Sequence, residues 1–371
     1  MAVLVLAVAL TACGSSSSDS SSGGGKTVDL APYKAKLAKA MKSQTEWQGP
    51  TEKVTPPKEF KLAIVTCFSI LHGCVSPAEG AKRAAEKLGW DVTIYDGKGD
   101  PTVQGQRIQQ AVTNQADAII TVAVDGNAVK SQIEAAKKAG VLVVSTSNGT
   151  APGEQGYDVD TSPNLEALGR AIADWMIVDS GGKGPIVPYL DKEFQSNVDV
   201  LKGLTEELKT CTSCDVREVE NFVATEVPNA LGPNTVSYFR KNPDVKYFHG
   251  SFDPAMTVQV PALQQAGFGD KVKGCSILGD AQNLKYIANG QIQACDGAWD
   301  NEYEGYATVD QIIRLATKKP LHVSENVPER YKYGQNIPYV LLTKDNLPEG
   351  DADWRAPFDY IGEYEKLWGL K

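Results

Sequence analysis

The feature that most constrains this chain is an alternation between short runs that are apolar throughout and longer stretches whose apolar residues return every three or four positions. The first run lies at 61–66 (Lys-Leu-Ala-Ile-Val-Thr), and over 77–88 it is followed by Ala81, Ala84, Ala85 and Leu88 at i, i+3, i+4 and i+7. That spacing draws one apolar stripe along a helix, the face that packs on a sheet. Runs at 91–96, 118–123 and 141–146 follow, separated by helical stretches through Ile108, Ala111 and Val112 and through Val129, Ile133 and Ala136. A strand apolar at consecutive positions has both faces buried, as in a parallel sheet covered by helices on each side.

The pattern then recurs. A helical stretch at 163–180, long enough to cross between lobes, leads to runs at 185–190, 215–222, 245–249, 272–278 and 293–299 with helices between them. Residues 303–318 read as a return helix, and 338–343 as a late strand beside a third crossing. At 371 residues the chain exceeds the size at which single cores stop growing, and no short-period repeat marks a solenoid. The expected fold is α/β, two similar lobes, each a parallel sheet flanked by helices, joined by a multi-segment hinge. Lobe 1 is expected at 60–163 with 302–325 and lobe 2 at 164–301 with 326–345. Residues 13–59 read as a tether and linker with a short helix at 33–42, and 346–371 as a C-terminal tail.

The first residues point to export. Residues 1–10 are almost wholly apolar and run into Leu10-Thr11-Ala12-Cys13. The run is too short to span a bilayer, which takes about 20 residues, and suits the apolar region of a signal peptide ending at 12. Leu-Thr-Ala-Cys resembles a bacterial lipobox, which implies acylation of Cys13. Residues 14–25 are nearly all Ser and Gly, the composition of a flexible tether. Because no Lys or Arg precedes the apolar run, the signal peptide is expected to begin upstream of Met1. The protein is thus expected outside the cytoplasm, anchored to the membrane as a lipoprotein.

Six cysteines remain after Cys13, and an even number in an exported chain suggests disulfides. Sequence leaves many connectivities open; proximity favours Cys67 with Cys74, Cys211 with Cys214, and Cys275 with Cys295. Cys211-Thr-Ser-Cys214 has redox-motif spacing, but it follows a helix end and precedes a strand, which suits a loop staple better than a reactive dithiol. The net charge of −9 argues against nucleic acid as a partner. No phosphate-cradling loop and no nucleophile elbow occur, and His72, His249 and His322 lack metal-ligand spacing. The chain therefore reads as a non-enzyme without metal or cofactor.

In open parallel sheets ligands bind beyond the carboxyl ends of the strands. The residues there are Cys67-Phe68-Ser69, Asp125, Ser147-Asn148, Asp160, Phe194-Gln195-Ser196-Asn197, Ala224-Thr225-Glu226, Ser251-Phe252-Asp253, Asp280-Ala281-Gln282 and Trp299-Asp300-Asn301. Aromatic and planar polar groups concentrate at these ends, and they match a sugar, which offers an apolar C–H face and a ring of hydroxyls. Core packing is the competing role for Phe68, Phe252 and Trp299, and helix capping for Asp253, which precedes Pro254.

The order of the helix after 77, Ala123-Val-Asp125, Val144-Ser-Thr-Ser-Asn148, Asp158-Val-Asp160, Gly250-Ser-Phe-Asp253, Gly279-Asp280 and Asp296-Gly-Ala-Trp-Asp300 resembles the ribose/galactose-type periplasmic binding proteins of type I over about residues 60–345. The resemblance implies a hinge-bending monomeric receptor that delivers a sugar to an ABC permease. It places Asp253, Asp280 and Asp300 at ligand-contacting positions; with Phe68, Ser69, Asn148, Gln195, Asn197, Phe252 and Trp299 they form the expected site. The chain departs from the ribose-type pattern where that pattern carries arginines: here stand Ser147-Asn148 and Gln195-Ser196-Asn197. An expected crevice with carboxylates and no Arg disfavours an anionic ligand and suits a neutral polyol or an amine-bearing solute. A sensor domain serving a signalling partner is the alternative use of the same fold.

Overall fold

The protein is described from a computed structural model covering residues 28–151 and 153–371; Cys13 and the Ser/Gly stretch lie outside the described residues. After α1 (Ala31–Ala40) the chain builds a first lobe from β1 (Lys61–Thr66), α2 (His72–Lys87), β2 (Asp91–Asp96), α3 (Pro101–Thr113), β3 (Ala118–Val122), α4 (Lys130–Lys138), β4 (Leu142–Thr146) and a two-residue β5 (Asp160–Thr161). The strands are all parallel, in the order β2-β1-β3-β4-β5. Every residue of β3 is buried, and every residue of β1 after Lys61, which is why these runs are apolar at consecutive positions.

The second lobe follows as α5 (Leu165–Asp179), β6 (Pro185–Asp191), α6 (Gln195–Leu208), β7 (Asp215–Val216), β8 (Glu220–Phe222), α7 (Leu231–Lys241), β9 (Tyr247–His249), α8 (Asp253–Gln265), β10 (Lys273–Leu278), α9 (Ala281–Ala288) and β11 (Gln293–Trp299). The chain returns to the first lobe as α10 (Asn301–Ala316), crosses back to β12 (Tyr339–Thr343), and ends in α11 (Tyr360–Leu367). The second sheet has the order β12-β11-β10-β9-β6-β7, with β8 also on β6, and only the β11–β12 pair is antiparallel. The strand expected at 215–222 is two short ones, which pair with β6 on either side of Val187 and Pro188. A proline ring carries no N–H for a ladder and interrupts an edge pairing of this kind.

α5 and α6 pack through glycines: a Cβ on Gly169 would lie 2.0 Å from the Val200 carbonyl oxygen, and one on Gly203 would lie 2.0 Å from that of Glu166. In the first lobe α10 packs on α2 and on β4.

Three differences from the sequence reading matter for the site. α2 starts at His72, so Pro77 lies inside the helix and the first turn reaches the cleft. The carbonyl that Pro77 leaves unbonded belongs to that first turn, where the loss costs least. The stretch expected to be a linker is packed: α1 lies on the second lobe, where Tyr33 Oη meets Thr210 Oγ1 at 2.9 Å and Lys36 donates to Glu207 at 2.6 Å. Trp47 then reaches the first lobe, its ring 5.0 Å from that of Tyr364.

Residues 346–371 are not a loose tail. Trp354 donates its backbone N–H to the Gly279 carbonyl (2.9 Å) in the second lobe, and Arg355 pairs with Asp300 (3.0 Å). α11 then packs on α10, with the Trp368 indole stacked on Tyr306 at 5.8 Å and donating to Asp310 at 2.9 Å. Both chain ends thus add crossings beside the hinge.

Candidate ligand-binding cleft

The carboxyl ends of both sheets face one another across a seam that holds a cavity of about 40 Å³. It has room for a few waters, far less than the ~300–1,000 Å³ usual for small-molecule sites, so the lobes lie closed on one another. The first lobe contributes Cys67, Leu71, Gly73, Cys74, Ala123 and Ser147; the second contributes Phe194, Ser196, Asn197, Phe252, Ile277, Leu278 and Trp299. No charged side chain is among them. The lobes approach so closely that a Cβ on Gly73 would lie 2.8 Å from Leu278 Cδ1.

Each wall has a local cause. Cys67 and Cys74 are disulfide-bonded and tie the end of β1 to the first turn of α2. Cys275 with Cys295 joins neighbouring strands at matching register, and Cys211 with Cys214 staples the loop after α6, so all three expected pairs are present. Phe252 sits between Phe194, edge-on at 5.9 Å, and Phe222, stacked at 6.0 Å. Ala123, Ser147 and Leu278, all at strand ends, hold positive φ angles of 51°, 58° and 126°. Such backbone costs about 1–3 kcal/mol per residue and persists where the surroundings over-determine it.

For Ser147 that surrounding is Glu304 of α10. Its Oε1 accepts from Thr146 Oγ1 (2.9 Å), Ser147 N (2.7 Å) and Ser147 Oγ (2.9 Å), and its Oε2 accepts from Trp299 Nε1 (2.8 Å). Burial pushes this carboxyl up to about 7 although the Trp299, Ser147 and Thr146 side-chain donors oppose the shift. One side chain thereby fixes a cavity residue from each lobe, and nothing in the local sequence marks it apart from its place on a helix.

The structure brings Asn197, Phe252 and Trp299 of the expected residues to the cavity, beside the Cys67–Cys74 bridge. The others have different partners. Phe68 packs over Gly99, and Ser69 donates through its N–H (3.0 Å) and hydroxyl (2.8 Å) to Asp96, whose carboxyl is lowered in pKa by these and other donors against the opposing effect of burial. Asn148 donates to the Val124 carbonyl and to Gln155, both at 3.0 Å, and Gln195 donates to Asp199 at 2.9 Å.

The expectation of carboxylates in the wall is corrected. Asp253 is wholly buried, accepting from Ser276 Oγ and from the Asp280 N–H (2.8 Å). Asp300 caps α10, accepting from Glu302 N and Tyr303 N at 3.0 Å each, and holds Arg355. Asp280 reaches across the seam to His72 Nδ1 at 2.8 Å. Asp160 accepts from Ser145 and Ser162 inside the first lobe, and burial pushes it up to about 6. Each acid stands at the start of a helix or strand and turns back onto it or across to a neighbour, so the rim is acidic and the wall is neutral. Leu71, Gly73, Ala123, Ile277 and Leu278 were not anticipated; they line the cavity because α2 begins early and the lobes are apposed.

Residues 73–320, about two thirds of the chain, match the periplasmic binding protein domain family. The chain is 26% identical over 249 residues to a D-apiose import binding protein of Actinobacillus succinogenes, covering 65% of this chain and 77% of that protein. Its fold superposes on an ABC sugar transporter subunit from Rhodobacter sphaeroides with a TM-score of 0.68 at 19% identity, covering 77% of this chain and 99% of the other. It superposes equally, at 0.68 and 15% identity over 80% of this chain and all of the other, on an ABC transporter solute-binding protein from Agrobacterium vitis bound to α-D-tagatopyranose. With two lobes of parallel sheet meeting at a cleft, and a match of this extent, the chain belongs to the periplasmic binding protein domain family.

Proposed function

We propose that this protein is the solute-binding component of an ABC importer, that it takes up a neutral sugar or polyol by closure of its lobes, and that it catalyses nothing. The observation that carries the ligand class is the cavity wall: Phe194, Phe252 and Trp299 offer apolar ring faces, Ser147, Ser196 and Asn197 offer neutral hydrogen-bonding groups, and no ionised side chain joins them. Rings suit the C–H face of a sugar, and hydroxyls and amides suit its hydroxyls. The wall offers an anionic ligand no Arg fork and an amine-bearing one no carboxylate. The sugars named for its relatives agree with this reading.

The test is a thermal-shift screen with D-apiose, D-ribose, D-tagatose and polyols, with amines and sugar acids as contrasts. A ligand at a hundredfold excess over its Kd stabilises the folded state by about 2.7 kcal/mol. Stabilisation by amines or acids alone would sink the assignment. We place the protein outside the cytoplasm, held by acylated Cys13 as a monomer that docks on its permease. Cys13→Ala should abolish detergent-phase partitioning; unchanged partitioning would refute the anchor. Among the described residues no helix is long and apolar enough to cross a membrane.

A further inference from the structure

We infer that His72 is a proton-operated latch, which bridges the two lobes at the edge of the cleft and holds the closed form only while its imidazole is protonated. The inference rests on the reading of the protein as a receptor that closes on its ligand, and it assigns a closure role to a residue outside the cavity wall.

The geometry is a bridge with three parts. His72 opens α2 in the first lobe, immediately between the cavity residues Leu71 and Gly73. Its Nδ1 lies 2.8 Å from Asp280 Oδ1, beyond β10 in the second lobe. Its Nε2 lies 3.4 Å from Asp353 Oδ2, on the C-terminal segment. That segment is itself tied to the second lobe, because Asp353 Oδ1 accepts from Ala281 N (3.0 Å) and Trp354 N donates to the Gly279 carbonyl (2.9 Å). Both ring nitrogens of a first-lobe residue therefore point at carboxylates held by the second lobe.

A neutral imidazole has one N–H and one lone pair. Whichever tautomer it takes, one of the two carboxylates then faces a lone pair, whereas an imidazolium donates to Asp280 and pairs its charge with Asp353 at 3.4 Å. The surroundings favour the cation: Asp280 and Asp353 raise the proton affinity of His72, and burial and the nearby Arg355 guanidinium oppose them without prevailing. His249 and His322 behave oppositely, since burial lowers both. Closure thus takes up a proton at His72. The latch is fully formed below the ordinary histidine value near ~6.5 and is lost as pH rises through the raised value of the closed form. At the acid end Asp280, whose carboxyl burial raises, takes a proton and weakens the bridge.

The test needs no sugar at first. With only three histidines in the chain, an NMR titration resolves each ring. One should titrate above ~6.5 and vanish in His72→Gln, and it should move down in Asp353→Asn, which keeps an acceptor for Ala281 N. Small-angle scattering on the same protein should show a smaller radius at pH 6 than at pH 9 in wild type and no such change in His72→Gln. For a sugar that binds in the screen, wild type should bind several-fold tighter at pH 6 than at pH 9, and His72→Gln should bind it equally at both. A His72 ring titrating at or below ~6.5, or the same pH response of the radius in wild type and His72→Gln, overturns the latch. A screen without any binding sugar refutes the receptor reading instead, and the titration and scattering still decide the latch.

Discussion

Replacing Glu304 by alanine removes one carboxylate from four donors, and the structure lets the cost be apportioned. The Thr146 hydroxyl also meets the Thr161 carbonyl at 3.0 Å, and the Ser147 N–H has that same carbonyl at 3.2 Å, so both keep an acceptor. The Ser147 hydroxyl can rotate. The Trp299 indole N–H is buried, with no other partner among the described residues, and an orphaned buried donor costs about 1–3 kcal/mol. Adding the void left by the side chain, Glu304→Ala should lose about 2–4 kcal/mol. Ligand capture should fall further than stability, because Ser147 and Trp299 line the cavity from opposite lobes. Glu304→Gln keeps an acceptor for Ser147 but sets its amide against the indole N–H, so about 1–2 kcal/mol is expected. Because burial raises the Glu304 carboxyl to about 7, the folded state holds a proton that the unfolded chain releases above its ordinary value. Wild-type stability therefore declines from about pH 4.5 through 7, and its margin over Glu304→Gln should narrow across that window. Urea unfolding at pH 5 and pH 8, with calorimetric titration of the bound sugar, measures both effects. Glu304→Ala within about 0.5 kcal/mol of wild type and unchanged in affinity would refute the role given to this residue.

Phe194→Ala should weaken sugar binding about tenfold, or ~1.4 kcal/mol, with little loss of stability, since the ring is only partly buried; calorimetry on a folded variant showing wild-type affinity would remove it from the site. The double change Cys67→Ser with Cys74→Ser should cost about 2–3 kcal/mol in thermal or urea unfolding and weaken binding, because the bridge both closes a short loop and forms part of the wall. Asp253 and Asp296 form a buried carboxyl pair, both raised chiefly by burial and Asp296 to about 7, so stability should fall as pH rises from about 4 through 7. Asp296→Asn should flatten that decline in pH-dependent melting, and an equally steep decline in the variant would exclude the pair as its source.

The two sheets were legible because burial on both faces leaves a mark that survives without context: 61–66, 118–122 and 293–299 are strands where the apolar runs stand. The packing of the chain ends was not read, although Tyr360, Tyr364, Leu367 and Trp368 lie at helical spacing, i, i+4, i+7 and i+8. That helix is short, and its partners Tyr303 and Tyr306 are about 60 residues away, so periodicity alone could not say what it packs on. Pro77 hid the start of α2 in the same manner, as a local signal overridden by tertiary contacts.

For the cleft, the rule that strand ends carry the site pointed to loops that meet at the seam, with Ser147, Phe194, Asn197, Phe252 and Trp299 all at the cavity. Side-chain direction was the missing quantity. An aspartate directly after a strand is also at the start of a helix, where N–H groups compete for it, and Asp300 goes to its own cap. The acids that do face the seam stand at its edges: Asp280 holds His72 on one side, and on another Asp199 holds Arg330 at 2.9 Å, which also reaches Glu154 of the first lobe at 3.4 Å. Charge therefore sits where the lobes meet and is absent where a ligand would lie. This division separates two kinds of control, since neutral contacts in the wall discriminate one sugar from another, whereas charged contacts on the rim act on closure whatever is bound. Changes at Phe194, Asn197 or Phe252 should alter which sugar is preferred. Changes at His72 or Arg330 should alter how pH and salt act on all bound sugars alike, and an Arg330→Gln variant that reorders sugar preference while keeping the salt response of wild type would break the distinction.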